Sequence, residues 1–275
     1  MSADLTTEVL NAWDAALAGV DAEASLLLRN GAGVVAQRRP DAPHYAASTV
    51  KLAVLCALLS RGVDEGSTLR VHDTFESAAG GSFTLRQSDD QDDATWARLG
   101  SEVAVGELAE RMITVSSNIA MDLLVERIGL AAVRDFLDRV GLGRAILLRR
   151  LIGDASAEAA RTTNTVTAAG LAALMAGLAD ASVLPRPQAD HALAILGRQQ
   201  HRGMIPAGLP ESTASASKGG WVPGVNHDVA FVRPDAAPPY VLAVCTTHHL
   251  DHEQGQALVA RLSRTTWEHW MTWHA

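Results

Sequence analysis

The chain has 275 residues and a mass of 29.0 kDa, with 48% apolar and 20% charged residues. That balance excludes global disorder, and the length suits one large domain or two lobes. A net charge of −8 and a pI of 5.6 argue against a nucleic-acid binder, and the longest uninterrupted apolar run, Leu52 to Leu59, falls far short of the roughly 20 residues that a bilayer span requires.

The N-terminal stretch is acidic and amphipathic, with neither a basic n-region nor an apolar h-region, so the cytoplasm is the expected compartment unless a leader has been removed. Leu5, Val9, Trp13 and Leu17 recur every four residues and predict a helix over Leu5 to Leu17. Ala24 to Arg29 and Gly33 to Arg38 are short apolar runs split by Asn30-Gly31, a hairpin signal. Pro40 and Pro43 break the chain. Thr49 to Leu59 then reads as a strongly apolar helix that ends at Gly62. Gly66 to Ser101 is polar and irregular and reads mostly as loop, with the acidic run Asp89 to Asp93 as a solvated face. Val103 to Ile113 and Asn118 to Ile128 read as helices on either side of Thr114 to Ser117, and Ala131 to Val140 as another, closed by Gly141.

Leu142 to Thr163 has weak periodicity and reads as a long loop. Thr165 to Leu178 reads as a helix capped by Thr165, and Gln188 to His201 as a further one. After Pro206, Ala214 to Lys218, Val229 to Arg233 and Tyr240 to Thr246 read as strands, with turns at Pro223-Gly224 and Pro234 to Pro239, before a closing helix from Asp251 to Trp273. This order predicts an α/β lobe made from both ends of the chain, 1–62 and 206–275, and an inserted helical lobe over 63–205. Cys56 and Cys245 lie in apolar runs without a His or Cys partner at metal spacing, and read as reduced core thiols.

Of the 23 basic residues only Lys51 and Lys218 are lysines; all others are arginines. Arginine cannot surrender its proton at useful pH, whereas a buried lysine can. The two lysines are therefore candidate chemical positions, although genome composition alone could leave so few. Ser48-Thr49-Val50-Lys51 opens the most apolar helix. A spacing of three puts the hydroxyl and the amine on one helix face. Near the helix start, the dipole and free N–H groups favour developing negative charge. Apolar neighbours push an amine toward its neutral form, which makes a nucleophile–base pair. Alone, S-x-x-K is a weak signal and reads as a capped helix with a snorkelling lysine. Two further pieces follow in order: Ser116-Ser117-Asn118, in a link between helices, which singly reads as capping chemistry, and Lys218-Gly219-Gly220, which follows a predicted strand, precedes Trp221 and singly reads as a tight turn.

Together these pieces resemble the class A β-lactamases and penicillin-binding proteins, whose signature set is S-x-x-K, S-D-N and K-T-G. KGGWVPGVNHDVAFVRP followed by PPYVLAVCTT is similar to that family's paired C-terminal strands, and the resemblance runs from about Ala24 to Thr247. It implies a β-lactamase/transpeptidase-like α+β fold, an antiparallel sheet flanked by terminal helices plus an inserted all-helical lobe. It also implies a serine hydrolase that forms an acyl-enzyme on a β-lactam or related small amide or ester. Ser48 is similar to the acylated nucleophile and Lys51 to its proton acceptor. Ser116 resembles the hydroxyl that relays a proton to the leaving nitrogen, with Lys218 supporting it. Asn118 resembles the amide that holds the substrate's side-chain carbonyl. Gly219, Gly220 and Trp221 border the substrate, and the N–H groups of Ser48 and Trp221 would form the oxyanion hole.

The departures are specific. Ser117 stands where the signature has Asp, and Gly219 where it has Thr, which removes a hydroxyl that would help bind a substrate carboxylate. The next strand offers Asn226 or His227 where class A enzymes often place an assisting Arg. No E-x-x-L-N occurs in Leu142 to Thr163; Asp154 and Glu158 are the nearest carboxylates to serve the deacylating water. Slow β-lactam deacylation is therefore expected, and an esterase, a DD-peptidase-like enzyme or a covalent β-lactam-binding protein is the alternative. His248-His249-Leu250-Asp251-His252-Glu253 clusters metal-ligand types but reads as a solvated turn with Asp251 as N-cap, His44 as a surface or cleft-lining residue, and Trp221 as strand-end packing, a substrate wall, or both. Neither G-x-S-x-G nor a Walker or dinucleotide glycine pattern is present, and no cofactor or metal is expected.

Overall fold

The computed structural model describes residues 4–275. Its central sheet has five antiparallel strands: β1 (Ala22–Asn30), β2 (Gly33–Arg38), β3 (Ala214–Val222), β4 (Val225–Arg233) and β5 (Tyr240–His248), in the order β3-β4-β5-β1-β2. The N-terminal strand thus pairs with the last one, with Leu26 opposite Val244. The eight longer helices are α1 (Leu5–Leu17), α2 (Lys51–Ser60), α3 (Val105–Thr114), α4 (Asn118–Ile128), α5 (Leu130–Arg139), α6 (Ala168–Ala179), α7 (Arg186–Leu196) and α8 (His252–Trp273).

Period-two alternation decides the layers, because successive strand residues face opposite sides of a sheet. Leu26, Leu28, Ala230, Leu242 and Val244 turn one way, onto Val9 and Trp13 of α1 and Leu258 and Leu262 of α8. The Trp13 indole N–H donates to Thr266 Oγ1 at 2.8 Å and ties the two terminal helices together. Leu27, Val229, Val241, Ala243 and Cys245 turn the other way and join the larger core with α2 and α6. α2 is buried from Lys51 to Leu59. A helix apolar on every side has no solvent face to offer, so neighbouring helices enclose it. Both cysteines are free and buried.

Local chemistry moves several elements from their expected places. α6 begins at Ala168, capped by the Thr167 hydroxyl, which accepts the Gly170 N–H at 3.0 Å. Thr165–Val166 instead forms a small strand between His44–Tyr45 and Ile146–Leu147. α7 runs from Arg186 to Leu196, started by Pro187 in its first turn and ending at Gly197. β3 continues through Lys218-Gly219-Gly220 to Val222, so the expected turn motif is strand, and β4 starts at Val225. The 66–101 segment holds short strands at Thr68–Arg70, Thr74–Glu76 and Ser82–Thr84 and a helical turn at Asp93–Trp96.

The acidic run is a solvated face only in part: Asp89, Gln91 and Asp93 are exposed, but two of its carboxylates are taken up by the fold. Asp92 is buried, held by the Arg111 guanidinium and by Thr95. His44 is neither on the surface nor in the cleft: it is buried, with ring nitrogens 2.9 Å from Thr247 Oγ1 and from Ser25 Oγ. In the 248–253 cluster, Asp251 forms the capping box of α8, but His248 is buried, with Nε2 3.1 Å from Asn226 Oδ1.

Candidate active site

Ser48 lies in a 3-10 turn, Ala47–Val50, that runs directly into α2. Ala47 has φ of +44° and Ser116 of +61°, so two non-glycine residues hold left-handed backbone beside the same cluster. Such conformations persist only where surrounding structure enforces them.

Lys51 has no solvent exposure. Its Nζ lies 3.0 Å from Ser48 Oγ, 2.5 Å from the Ser116 carbonyl oxygen, 2.6 Å from Asn118 Oδ1 and 3.3 Å from Ser116 Oγ. Burial pulls its pKa down to about 7, against the attraction of Asp90, Asp122 and Asp92. A neutral amine has two hydrogens and one lone pair. The Ser116 carbonyl and Asn118 Oδ1 can only accept, so they take the two hydrogens. The lone pair is left for the Ser48 hydroxyl, which can donate to it.

Lys218 reaches the cluster through Ser116: its Nζ lies 3.0 Å from Ser116 Oγ and donates to the Gly219 carbonyl at 2.7 Å. Burial holds its pKa well below the ordinary value, Lys51 adds repulsion, and Asp228 partly offsets both. Asn118 begins α4, and its Nδ2 donates to the Asp89 carbonyl at 2.6 Å. That bond and the Lys51 contact fix one orientation of the amide.

The two glycines of β3 point opposite ways. A Cβ on Gly220 would sit 2.6 Å from Ser48 N and 2.7 Å from Thr49 N, so only a bare backbone can pass the start of α2 here. A Cβ on Gly219 would meet the Met204 methyl at 2.5 Å, on the far face. The Trp221 ring packs against His201 and His252, at 4.9 and 5.8 Å between centroids. Trp221 also borders a cleft of about 470 Å³ shared with Ser48, Asn118, Tyr45, Leu85 and Ile152. The packing reading of Trp221 holds, and the ring also lines the cleft.

The substitutes suggested for missing family groups are engaged elsewhere. Asn226 binds His248. His227 accepts the Thr246 N–H at Nδ1 (3.0 Å), and its Nε2 lies 2.9 Å from the Tyr45 carbonyl, to which it donates. Burial pushes the His227 pKa down to about 3, so this ring is neutral and supplies no cation. Asp154 is buried and accepts the Ser77 hydroxyl and the N–H groups of Ala78 and Ala157, at 2.8 to 3.0 Å. Glu158 is exposed and paired with Arg150 at 3.2 Å. Both carboxylates brace their loop, and neither borders the cleft beside Ser48. Ile152 does.

Sequence reasoning missed Asp90, Asp92 and Asp122. Asp122 is fully buried behind Lys51, accepts the Ile152 N–H at 3.0 Å, and burial raises its pKa well above the carboxylate range. The spacing Asp92-x-x-Thr95, a capping pattern, was the one local signal that the acidic run has a structural role. Among the described residues no group of three or more His, Cys, Asp or Glu side chains could hold a metal ion, and no helix is long and apolar enough to cross a membrane.

The model of the Beta-lactamase enzyme family matches residues 11–270. No curated protein matches the chain. Among solved structures, PBP-A superposes with a TM-score of 0.79 at 23% identity, covering 96% of both chains. A mutant of PBP-A, as an acyl-enzyme complex with penicillin G, gives 0.78 at 24% identity with 96% of each chain covered. A class A β-lactamase representative from Bacteroides cellulosilyticus gives 0.83 at 17% identity, covering 98% of this chain and 100% of the other.

Proposed function

Since the chain belongs to the Beta-lactamase enzyme family, we propose that it is a serine hydrolase whose Ser48 is acylated by a β-lactam or a related small amide or ester. The observation that carries this reading is the Lys51 Nζ, stripped of solvent, 3.0 Å from Ser48 Oγ and 2.5 and 2.6 Å from two groups that can only accept, the Ser116 carbonyl and Asn118 Oδ1.

Lys51 takes the Ser48 proton as Oγ attacks the substrate carbonyl carbon. The carbonyl oxygen gains charge between the backbone N–H groups of Ser48 and Trp221, where each donor is worth roughly 3–4 kcal/mol. As the C–N or C–O bond breaks, the Ser116 hydroxyl gives its proton to the leaving atom and is reprotonated from Lys51, which it touches together with Lys218. Asn118 and Trp221 border the bound acyl group.

Water must then clear the ester. Asp154 and Glu158 are spent on the loop, and the side chain beside the cleft at this point is Ile152. With a β-lactam the adduct therefore persists. The same observation favours a second reading, an esterase, a DD-peptidase-like enzyme or a covalent β-lactam binder. The neutral His227 and the missing hydroxyl at Gly219 weaken recognition of a substrate carboxylate and point the same way. A fluorophosphonate and a labelled penicillin, each applied to the wild type and to Ser48→Ala, test the proposal. Adducts on the wild type alone support it; no adduct from either reagent removes it.

A further inference from the structure

We propose that Asp90 is a positioning residue for acylation: delivered from the 87–93 segment, it fastens the first turn of α4 and, through Asn118, holds the Lys51 amine against Ser48. The inference rests on the acylation reading above.

The open end of α4 presents N–H groups that need acceptors. Ser117, which replaces the acid of the family signature, accepts one of them, from Ala120 at 3.2 Å. Asp90 supplies the carboxylate from elsewhere in the chain. Its Oδ1 accepts the Asn118 N–H at 2.8 Å, and its Oδ2 accepts the Ile119 N–H at 2.8 Å and the Trp96 indole N–H at 3.0 Å. Both oxygens are thus committed, and the buried Trp96 anchors the carboxylate from the other side. The preceding residue completes the grip, since the Asp89 carbonyl accepts Asn118 Nδ2. Asn118 is held at its backbone and at its amide nitrogen, which leaves Oδ1 directed at Lys51 Nζ.

Asp90 also acts on Lys51 through its charge. The charged and titratable groups facing Lys51 are Asp90, Asp122 and Asp92, which favour its ammonium form, and Lys218 and His201 across the cluster. Burial raises the Asp122 pKa well above the carboxylate range, which weakens its hold on a nearby cation, and Asp92 is occupied by Arg111. Asp90 is therefore the carboxylate whose loss changes the base most. Removing its charge makes Lys51 easier to deprotonate.

The test is the pH dependence of Ser48 labelling by a fluorophosphonate, followed by intact mass on the full chain from about pH 5 to 10. Neutral Lys51 is the active form, so the rate climbs with pH through its titration. Asp90→Asn is expected to move that limb to lower pH by about half a unit or more, as a neighbouring charge is lost. It is also expected to lower the plateau rate by about tenfold, as Asn118 loosens its hold on the base. Asp90→Ser, which removes the charge with a smaller polar side chain, reads the same shift if the amide variant folds poorly. The exposed neighbour Asp93, changed to Asn, serves as control and should leave the limb in place. Thermal unfolding records any stability loss separately, which a merely structural role would produce without moving the limb. Coincident limbs for wild type and both Asp90 variants, or an equal shift in Asp93→Asn, overturn the role of Asp90. Absence of labelling in the wild type brings down the acylation reading, and this inference with it.

Discussion

Lys51→Met tests the buried base through stability as well as rate. Methionine fills much of the same apolar space and cannot be protonated. In the unfolded chain Lys51 titrates at its ordinary 10.5, and in the fold at about 7. The folded pKa is the lower one, so between these values the unfolded state binds the proton that the folded state refuses. This group therefore costs stability increasingly as pH falls from 10.5 to 7, and by a constant amount below. Integrating the linkage relation, Lys51 alone should make the wild type about 2 kcal/mol less stable at pH 7 than at pH 9. The hydrogen bonds lost in the variant, to Ser116 and Asn118, contribute equally at both values and drop out of the difference. Urea unfolding of both proteins at the two pH values measures it. The variant should gain about 2 kcal/mol on the wild type between pH 9 and pH 7. Its Ser48 labelling rate should fall by about two to four orders of magnitude. A stability difference that is the same at both pH values would mean that Lys51 titrates normally, and the base would be lost from the mechanism.

Ile152→Glu puts a carboxylate into the cleft beside Ser48, and should shorten the lifetime of a penicillin adduct by about tenfold or more; an unchanged lifetime in intact-mass decay would refute the view that a missing water base limits deacylation. Asp154→Ala leaves three donors without their acceptor and should lower the unfolding free energy by about 2–4 kcal/mol while the deacylation rate constant stays put. A selective loss of deacylation would restore Asp154 as the base. Gly220→Ala forces a Cβ against Ser48 N and should slow labelling by about a hundredfold; wild-type rates would show slack between β3 and the start of α2. His227 has its folded pKa near 3, below the ordinary 6.5, so it costs stability as pH falls through that window. His227→Gln should narrow the loss between pH 7 and pH 5 by about 2 kcal/mol, and equal losses in both proteins would place a charged ring in that pocket.

Much of the site was readable because it is local or periodic. Ser48 and Lys51 share a helix face by spacing alone, and the scarcity of lysine marked Lys218 as its partner. The hairpin, α1 and α8 followed from apolar periods and turn residues. What escaped depends on closure between distant segments. Asp90 and Asp92 look like any hydrated acidic run until α4 and Arg111 arrive to use them. Gly219 and Gly220 read as a turn because glycine weakens strands. Only the approach of the α2 start to Gly220 explains why the strand keeps a bare backbone there. His227 looked like a substitute for a cation, but burial makes it a neutral brace for Tyr45 and Thr246. Thr165 and Thr167 offer the same cap chemistry, and the pairing of 165–166 with 44–45 decides between them.

The chain's two lysines make the central claim directly measurable. Uniform labelling of lysine side chains with carbon-13 at Cε gives two resonances to follow by NMR as pH is raised, assigned with Lys51→Met. The account predicts that the Lys51 signal titrates near 7. A midpoint at its ordinary 10.5 would show an ammonium at rest beside Ser48, and would contradict the account.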